Sequence, residues 1–152
     1  MINQFLEKKM KNLFISLLVT FLLPFTSCAA PVNSSPIAGL LDSAKNGDSY
    51  SQLLLGYKYY NGQDVAQDFE EALQWYKKAA KQGYADAQIY LGMMYHNGEG
   101  TSVDYITAHM WFNLAAAEGH NRAEELRDLI AEKMTPEQIA EATERALKWK
   151  AK

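Results

Sequence analysis

Residues 44–79 laid against residues 80–115, a shift of 36, share 13 identities. Gly47 meets Gly83, and Gln52, Leu55, Gly56, Tyr59, Asn61 and Gly62 meet Gln88, Leu91, Gly92, Tyr95, Asn97 and Gly98. Asp68, Ala72, Trp75 and Ala79 meet Asp104, Ala108, Trp111 and Ala115. The same shift of 36 carries Gly83 to Gly119 and Ala87 to Ala123. A period of this size belongs to solenoids, in which each unit buries its apolar face only by stacking on its neighbours. The expected fold is therefore all-α, an α/α solenoid of two 36-residue helix-turn-helix repeats with capping helices at both ends.

Each unit reads as two helices. The first spans about Tyr50–Tyr60 and again Asp86–His96, where Ala87, Leu91, Met94 and Tyr95 share one face. Gly56 and Gly92 fall inside it, where glycine is costly relative to alanine. A cost repeated at one position predicts a neighbour too close for a Cβ. The second helix opens at Asp68 and Asp104, both suited to cap an N-terminus. Glu71 is placed to return a bond to the Asp68 amide, as in a capping box. Trp75, Tyr76, Ala79 and Ala80, then Trp111, Phe112, Ala115 and Ala116, alternate large rings with small residues so that helices can close on one another. Gly83 and Gly119 stand where a left-handed residue ends a helix, and Asn61-Gly62 and Asn97-Gly98 make the turns between helices.

These residues resemble the Sel-one-like repeat family, relatives of the tetratricopeptide repeats. The pattern is carried by Ala87, Gln88, Leu91, Gly92, Tyr95 and Gly98, then Asp104, Ala108, Trp111, Phe112, Ala115, Ala116 and Gly119. The first copy differs by Ser51 in place of alanine, and neither copy has the full Gly-x-Gly-Val turn. The resemblance covers residues 44–123 and implies a protein-binding scaffold with no cofactor. Some cysteine-rich members of this scaffold bind or hydrolyse β-lactams, which is an alternative reading, although the cysteine pairs of those members are missing here. A structural subunit of an envelope complex is a further alternative.

Outside the repeats, Ile37–Asn46 looks like the second helix of an earlier repeat. After Gly119 the pattern changes: Arg127 and Asp128 fall where Leu91 and Gly92 stood, and Leu126, Leu129 and Ile130 form what reads as a different apolar stripe. Thr135-Pro136-Glu137-Gln138 opens a last helix with a capping box, and Ile139, Ala142, Ala146 and Trp149 share its inner face. Glu141 and Arg145 are spaced for an ion pair outside. The organisation expected is thus a signal peptide over 1–29, a linker and capping helix over 30–43, repeats over 44–79 and 80–115, and a partial repeat with capping helices over 116–152.

The N-terminus reads as an export signal. Leu13–Phe25 carries no charge, is short for a bilayer span, and follows Lys8, Lys9 and Lys11. Met10 would open a compact signal, so the start at Met1 or at Met10 is open. Ser27 and Ala29 suit cleavage after Ala29; Phe25-Thr26-Ser27-Cys28 resembles a lipoprotein box in which Cys28 is acylated. The expected location is periplasmic or secreted, or lipid-anchored in a bacterial envelope. Cleavage after Ala29 would take the net charge from -3 to -5. An acidic chain lacks the basic stripe that nucleic-acid binding needs, so no nucleic-acid partner is expected. Cys28 is the only cysteine, so a disulfide within the chain and a thiolate zinc site are excluded.

No nucleophile elbow, phosphate loop or zinc-protease motif is present, so no catalytic residue, cofactor or metal is assigned. His96 reads as a solvated loop residue near Glu99, His109 as an exposed helix residue, and His120 as finishing the preceding helix. What remains is surface. The first helix of each repeat carries Leu53, Leu54, Tyr57 and Tyr60, then Ile89, Tyr90, Met93 and His96, away from its inward face. In solenoids such helices line a concave side. Leu54, Tyr57, Tyr60, Tyr90, Met93 and His96 are therefore the candidate groove for an unidentified protein or peptide, with the membrane reached only through Cys28.

Overall fold

The structure is a computed structural model that describes residues 36–150. The signal peptide expected over 1–29, with Cys28, and the start of the linker lie outside the described residues. Seven helices and no strands occur among the described residues: α1 (Ala38–Lys45), α2 (Ser49–Asn61), α3 (Phe69–Lys81), α4 (Ala85–Asn97), α5 (Tyr105–Ala117), α6 (Asn121–Ala131) and α7 (Pro136–Lys150). Helices α1 to α5 each pack on the next, giving the all-α repeat solenoid that the period demands. None of these helices is long and apolar enough to cross a membrane.

Local chemistry sets the helix ends. Asp48, Asp68 and Asp104 accept hydrogen bonds from the amides of Ser51 (2.7 Å), Glu71 (2.9 Å) and Thr107 (2.9 Å), satisfying donors that the first turn leaves unpaired. The return bond expected from Glu71 is replaced. The Asp68 amide donates to the Tyr59 carbonyl and the Asp104 amide to the Tyr95 carbonyl, both at 2.9 Å, tying each second helix to the one before it. Thr135 and Gln138 do form a reciprocal box: the Gln138 amide donates to the Thr135 hydroxyl (3.3 Å) and the Thr135 amide to the Gln138 side chain (2.9 Å). Gly62 and Gly98 end α2 and α4 at φ +67° and +74°, a conformation that strains other residues.

Packing explains the mid-helix glycines. A Cβ built on Gly56 would lie 2.7 Å from the Tyr76 ring, and one on Gly92 would enter the Phe112 ring. The close neighbour is thus an aromatic side chain of the second helix. Tyr76, Leu55, Leu91 and Met94 are fully buried around these contacts, with Trp75 and Trp111 beside them.

The register breaks at α6. Arg127 and Asp128 occupy the Leu91 and Gly92 positions and pair with each other at 2.8 Å, leaving no apolar seat for a following helix. The last helix, α7, packs instead on α5, where Trp149 meets Trp111 edge-on at 5.0 Å and Ala146 joins the same core. Glu141 and Arg145 pair at 2.6 Å on its outer side.

Two of the three histidines sit differently from expectation. His109 is buried, at 4% exposure, because its register position is the one held by Ile37 and Leu73 in earlier units, both buried against the next helix. His96 is no loop residue: it lies half-buried in the last turn of α4, its ring 5.6 Å from that of Tyr105. His120 finishes α5, as expected, by donating its amide to the Ala115 carbonyl at 3.3 Å; it also begins α6, and its Nε2 lies 3.2 Å from Asp86 Oδ1.

Candidate binding face

The first helices of successive units, α2, α4 and α6, share one face. A shift of 36 carries Leu54 to Tyr90 to Leu126, and Tyr57 to Met93 to Leu129. The stripe expected from two repeats therefore runs on over a third helix. Leu126 and Leu129 continue it rather than starting another, and Leu129 is 59% exposed. One more application of the shift would have found them; the polar change at Arg127 and Asp128 hid it.

Not all of the face residues stay accessible. Leu53 and Ile89 are buried in the core. Tyr90 is half-buried, stacked on Tyr76 with ring centres 4.9 Å apart and the planes 5° from parallel, and it meets Tyr57 edge-on at 6.4 Å. Tyr57 is 38% exposed. Tyr60 is half-buried, edge-on to Phe69 at 5.3 Å, and its hydroxyl donates to Glu99 Oε2 at 2.8 Å. Burial first, then Glu99, pushes the Tyr60 phenol up to about 12, so it stays a donor. Leu54 and Met93 are half-buried.

Two cavities open along the face. One of about 310 Å³ is lined by Leu53, Asp86, Ile89, Tyr90, Met93, His120 and Arg122, so it bridges all three helices. The other, about 140 Å³ and almost wholly apolar, is lined by Met93, His96, Asn97, Phe112, Leu126, Leu129 and Ile130. Met93 belongs to both. Moved back by 36 residues, the lining of the smaller cavity becomes Tyr57, Tyr60, Asn61, Tyr76, Tyr90, Met93 and Met94. The face thus has two junctions of equal register, one rich in tyrosine and one in aliphatic residues.

Tyr76 was not among the residues expected on this face, because its ring reads as core. It is fully buried, yet its hydroxyl has no hydrogen-bond partner among the described residues. Leaving such a group unsatisfied costs about 1–3 kcal/mol. Burial pushes the Tyr76 phenol strongly up, and ionisation of Tyr90, Tyr60 or Tyr57 would oppose its own. At the same register position Phe112 has no hydroxyl. Among the described residues no group of three or more His, Cys, Asp or Glu could hold a metal ion. The geometry offers apolar pockets, phenol hydroxyls and a half-buried carboxylate on one side of the solenoid.

Comparison with known proteins agrees with the repeat geometry. The Sel1 repeat model matches residues 49–84 and 85–120, a phase set to begin at α2 and α4. The secretory immunoglobulin A-binding protein EsiB of Escherichia coli is 35% identical over 70 residues, which is 46% of this chain and 14% of EsiB. A protective antigen of uropathogenic Escherichia coli that displays an SLR fold superposes with a TM-score of 0.71 at 32% identity, over 72% of this chain and 24% of that one. A Sel1 repeat protein from Oxalobacter formigenes gives a TM-score of 0.57 at 42% identity, over 59% of this chain and 26% of its own. The chain thus spans about a quarter or less of the length of these relatives. Matched repeat for repeat by the family model and by solved structures, it belongs to the Sel1-like repeat family of helical-repeat proteins.

Proposed function

We propose that the chain is an exported bacterial binding module that holds a segment of another protein against the α2–α4–α6 face. The observation that carries this reading is the stripe Leu54–Tyr57, Tyr90–Met93, Leu126–Leu129, which sits beside two cavities on one side of the solenoid. Peptide partners of helical repeats draw affinity from such aromatic and methionine contacts. The uncharged run Leu13–Phe25 behind three lysines supports export, with the chain either cut after Ala29 or acylated at Cys28. A lipid at Cys28 would hold the module at a membrane surface and raise the effective concentration of its partner there.

A double variant tests the face. Tyr57→Ser with Leu129→Ser changes two exposed side chains, so the melting temperature should hold while partner binding falls. Secretory immunoglobulin A is the first partner to try, because it stands in the name of a relative. A double variant that binds every wild-type partner unchanged sinks the assignment to this face. Mass spectrometry of the mature N-terminus separates a start at Ala30 from acylated Cys28, and an intact leader in the mature protein overturns the export reading.

A further inference from the structure

The two junctions of the binding face differ in whether they hold a positive charge of their own. At the second, Lys133 lies 5.9 Å over the Tyr105 ring and 3.4 Å from His96 Nε2. Moved back by 36, Lys133, Tyr105 and His96 become Asn97, Phe69 and Tyr60, so the first junction has a ring and a phenol but no cation. What it has instead is Glu99, a half-buried carboxylate that accepts the Tyr60 hydroxyl and enters no ion pair among the described residues. Near Tyr60 stand Tyr57, Tyr90 and the buried, unpartnered Tyr76 hydroxyl.

Resting on the reading of this face as a binding groove, we propose that its first junction is a subsite for a basic side chain of the partner. An ammonium or guanidinium group brings only donors. Glu99 and the lone pairs of the phenol oxygens supply acceptors, and the tyrosine rings supply negative π faces that attract a cation. The partner of an acidic chain, of net charge -3, is also steered electrostatically if it is basic. The neighbouring junction takes an aliphatic side chain into the cavity of Phe112, Leu126, Leu129 and Ile130. Packed helices stand about 10 Å apart, and extended chain covers about 3.3 Å per residue, so the two anchors are about three residues apart. The ligand is a segment with an arginine or lysine and a bulky aliphatic residue at that spacing.

The test uses the blocked peptide acetyl-Gly-Arg-Gly-Gly-Leu-Gly-amide, titrated into the ¹⁵N-labelled protein and read from amide shifts. Replacing the peptide's arginine by glutamine should weaken binding about threefold or more, the size of an exposed cation–π contact. Glu99→Gln should lose that preference for arginine. Tyr76→Phe should melt at higher temperature, as the orphaned hydroxyl is gone, and yet bind the arginine peptide less tightly and the glutamine peptide as before. Equal affinity of the wild type for both peptides overturns the cation subsite and leaves the groove standing. Tyr76→Phe that binds the arginine peptide like the wild type overturns the part assigned to its hydroxyl. If no peptide shifts any amide of α2, α4 or α6, the groove reading falls as well.

Discussion

The two junctions of the proposed binding face are copies of one design with opposite fillings. In both, a glycine of the first helix receives an aromatic ring of the second: Gly56 takes Tyr76, and Gly92 takes Phe112. Around the first ring stand Tyr57, Tyr60 and Tyr90; around the second, Met93, His96 and Leu126. The backbone register is held constant while the side chains move from hydroxyl-bearing to aliphatic. Repeat proteins can do this because each junction touches only its neighbours, so its surface varies without disturbing the scaffold. The difference teaches which residues carry the fold and which are available for recognition. The glycine-ring pairs are common to both junctions; the hydroxyls are not.

The common part should be the more expensive to damage. Phe112→Ala removes a ring that is 2% exposed and should cost about 3–5 kcal/mol in urea unfolding. Gly92→Ala pushes a methyl group into the same ring and should cost about 1–3 kcal/mol, with Phe112→Leu recovering part of the loss in the double variant. Additive losses in that pair would mean that the glycine is not there for the ring.

The hydroxyl swap sharpens the comparison at smaller amplitude. Tyr76→Phe should stabilise the chain by about 1 kcal/mol, since it deletes an unsatisfied buried group and little packing. Phe112→Tyr should cost about the same for the converse reason, because the ring it extends is buried among Met93, Leu126 and Ile130. A destabilised Tyr76→Phe variant in thermal melts would show that the hydroxyl is satisfied after all, and the first junction would then be ordinary core.

Much of this was legible in the sequence because repetition converts one observation into a rule. Gly56 and Gly92 announced a close approach, and Asp48, Asp68 and Asp104 cap helices that differ by at most a residue from those expected. What was hidden involves partners distant in the chain. The ring that meets each glycine lies 20 residues on, and helix periodicity alone does not say which element faces which. Docking of α7 on α5 depends on Arg127 and Asp128 closing the usual seat, a consequence visible only once Tyr76 and Phe112 are known to fill it. Of the candidate groove, Tyr57, Tyr90 and Met93 stand on the expected face, while the Tyr60–Glu99 bond spans 39 residues and no local pattern signals it.

The smallest expected effect lies at the last unit boundary. Ile37 and Leu55 share one packed cluster, and Leu73 and Leu91 share another; at the third boundary the same two positions hold His109 and Arg127. An imidazole thus replaces an aliphatic side chain in a buried seat, and its Nδ1 has no partner among the described residues. Burial first, then the Arg127 guanidinium, holds the His109 pKa below its ordinary value, with Asp128 opposing. The unfolded chain takes up that proton near the ordinary value, about 6.5, and the folded chain only at lower pH. Between the two, the unfolded state binds more protons, so stability is full above about pH 6.5 and falls as acid is added below it. His109→Leu, which copies Leu73, should melt with less dependence on pH between about 7.5 and 5.5, a range chosen to bracket the ordinary histidine value. His96, His120 and the carboxylates remain in both proteins, so their contributions cancel in the difference. If wild type and variant lose the same stability on acidification, His109 is already satisfied in the fold, and the third boundary is as indifferent to pH as the two apolar ones before it.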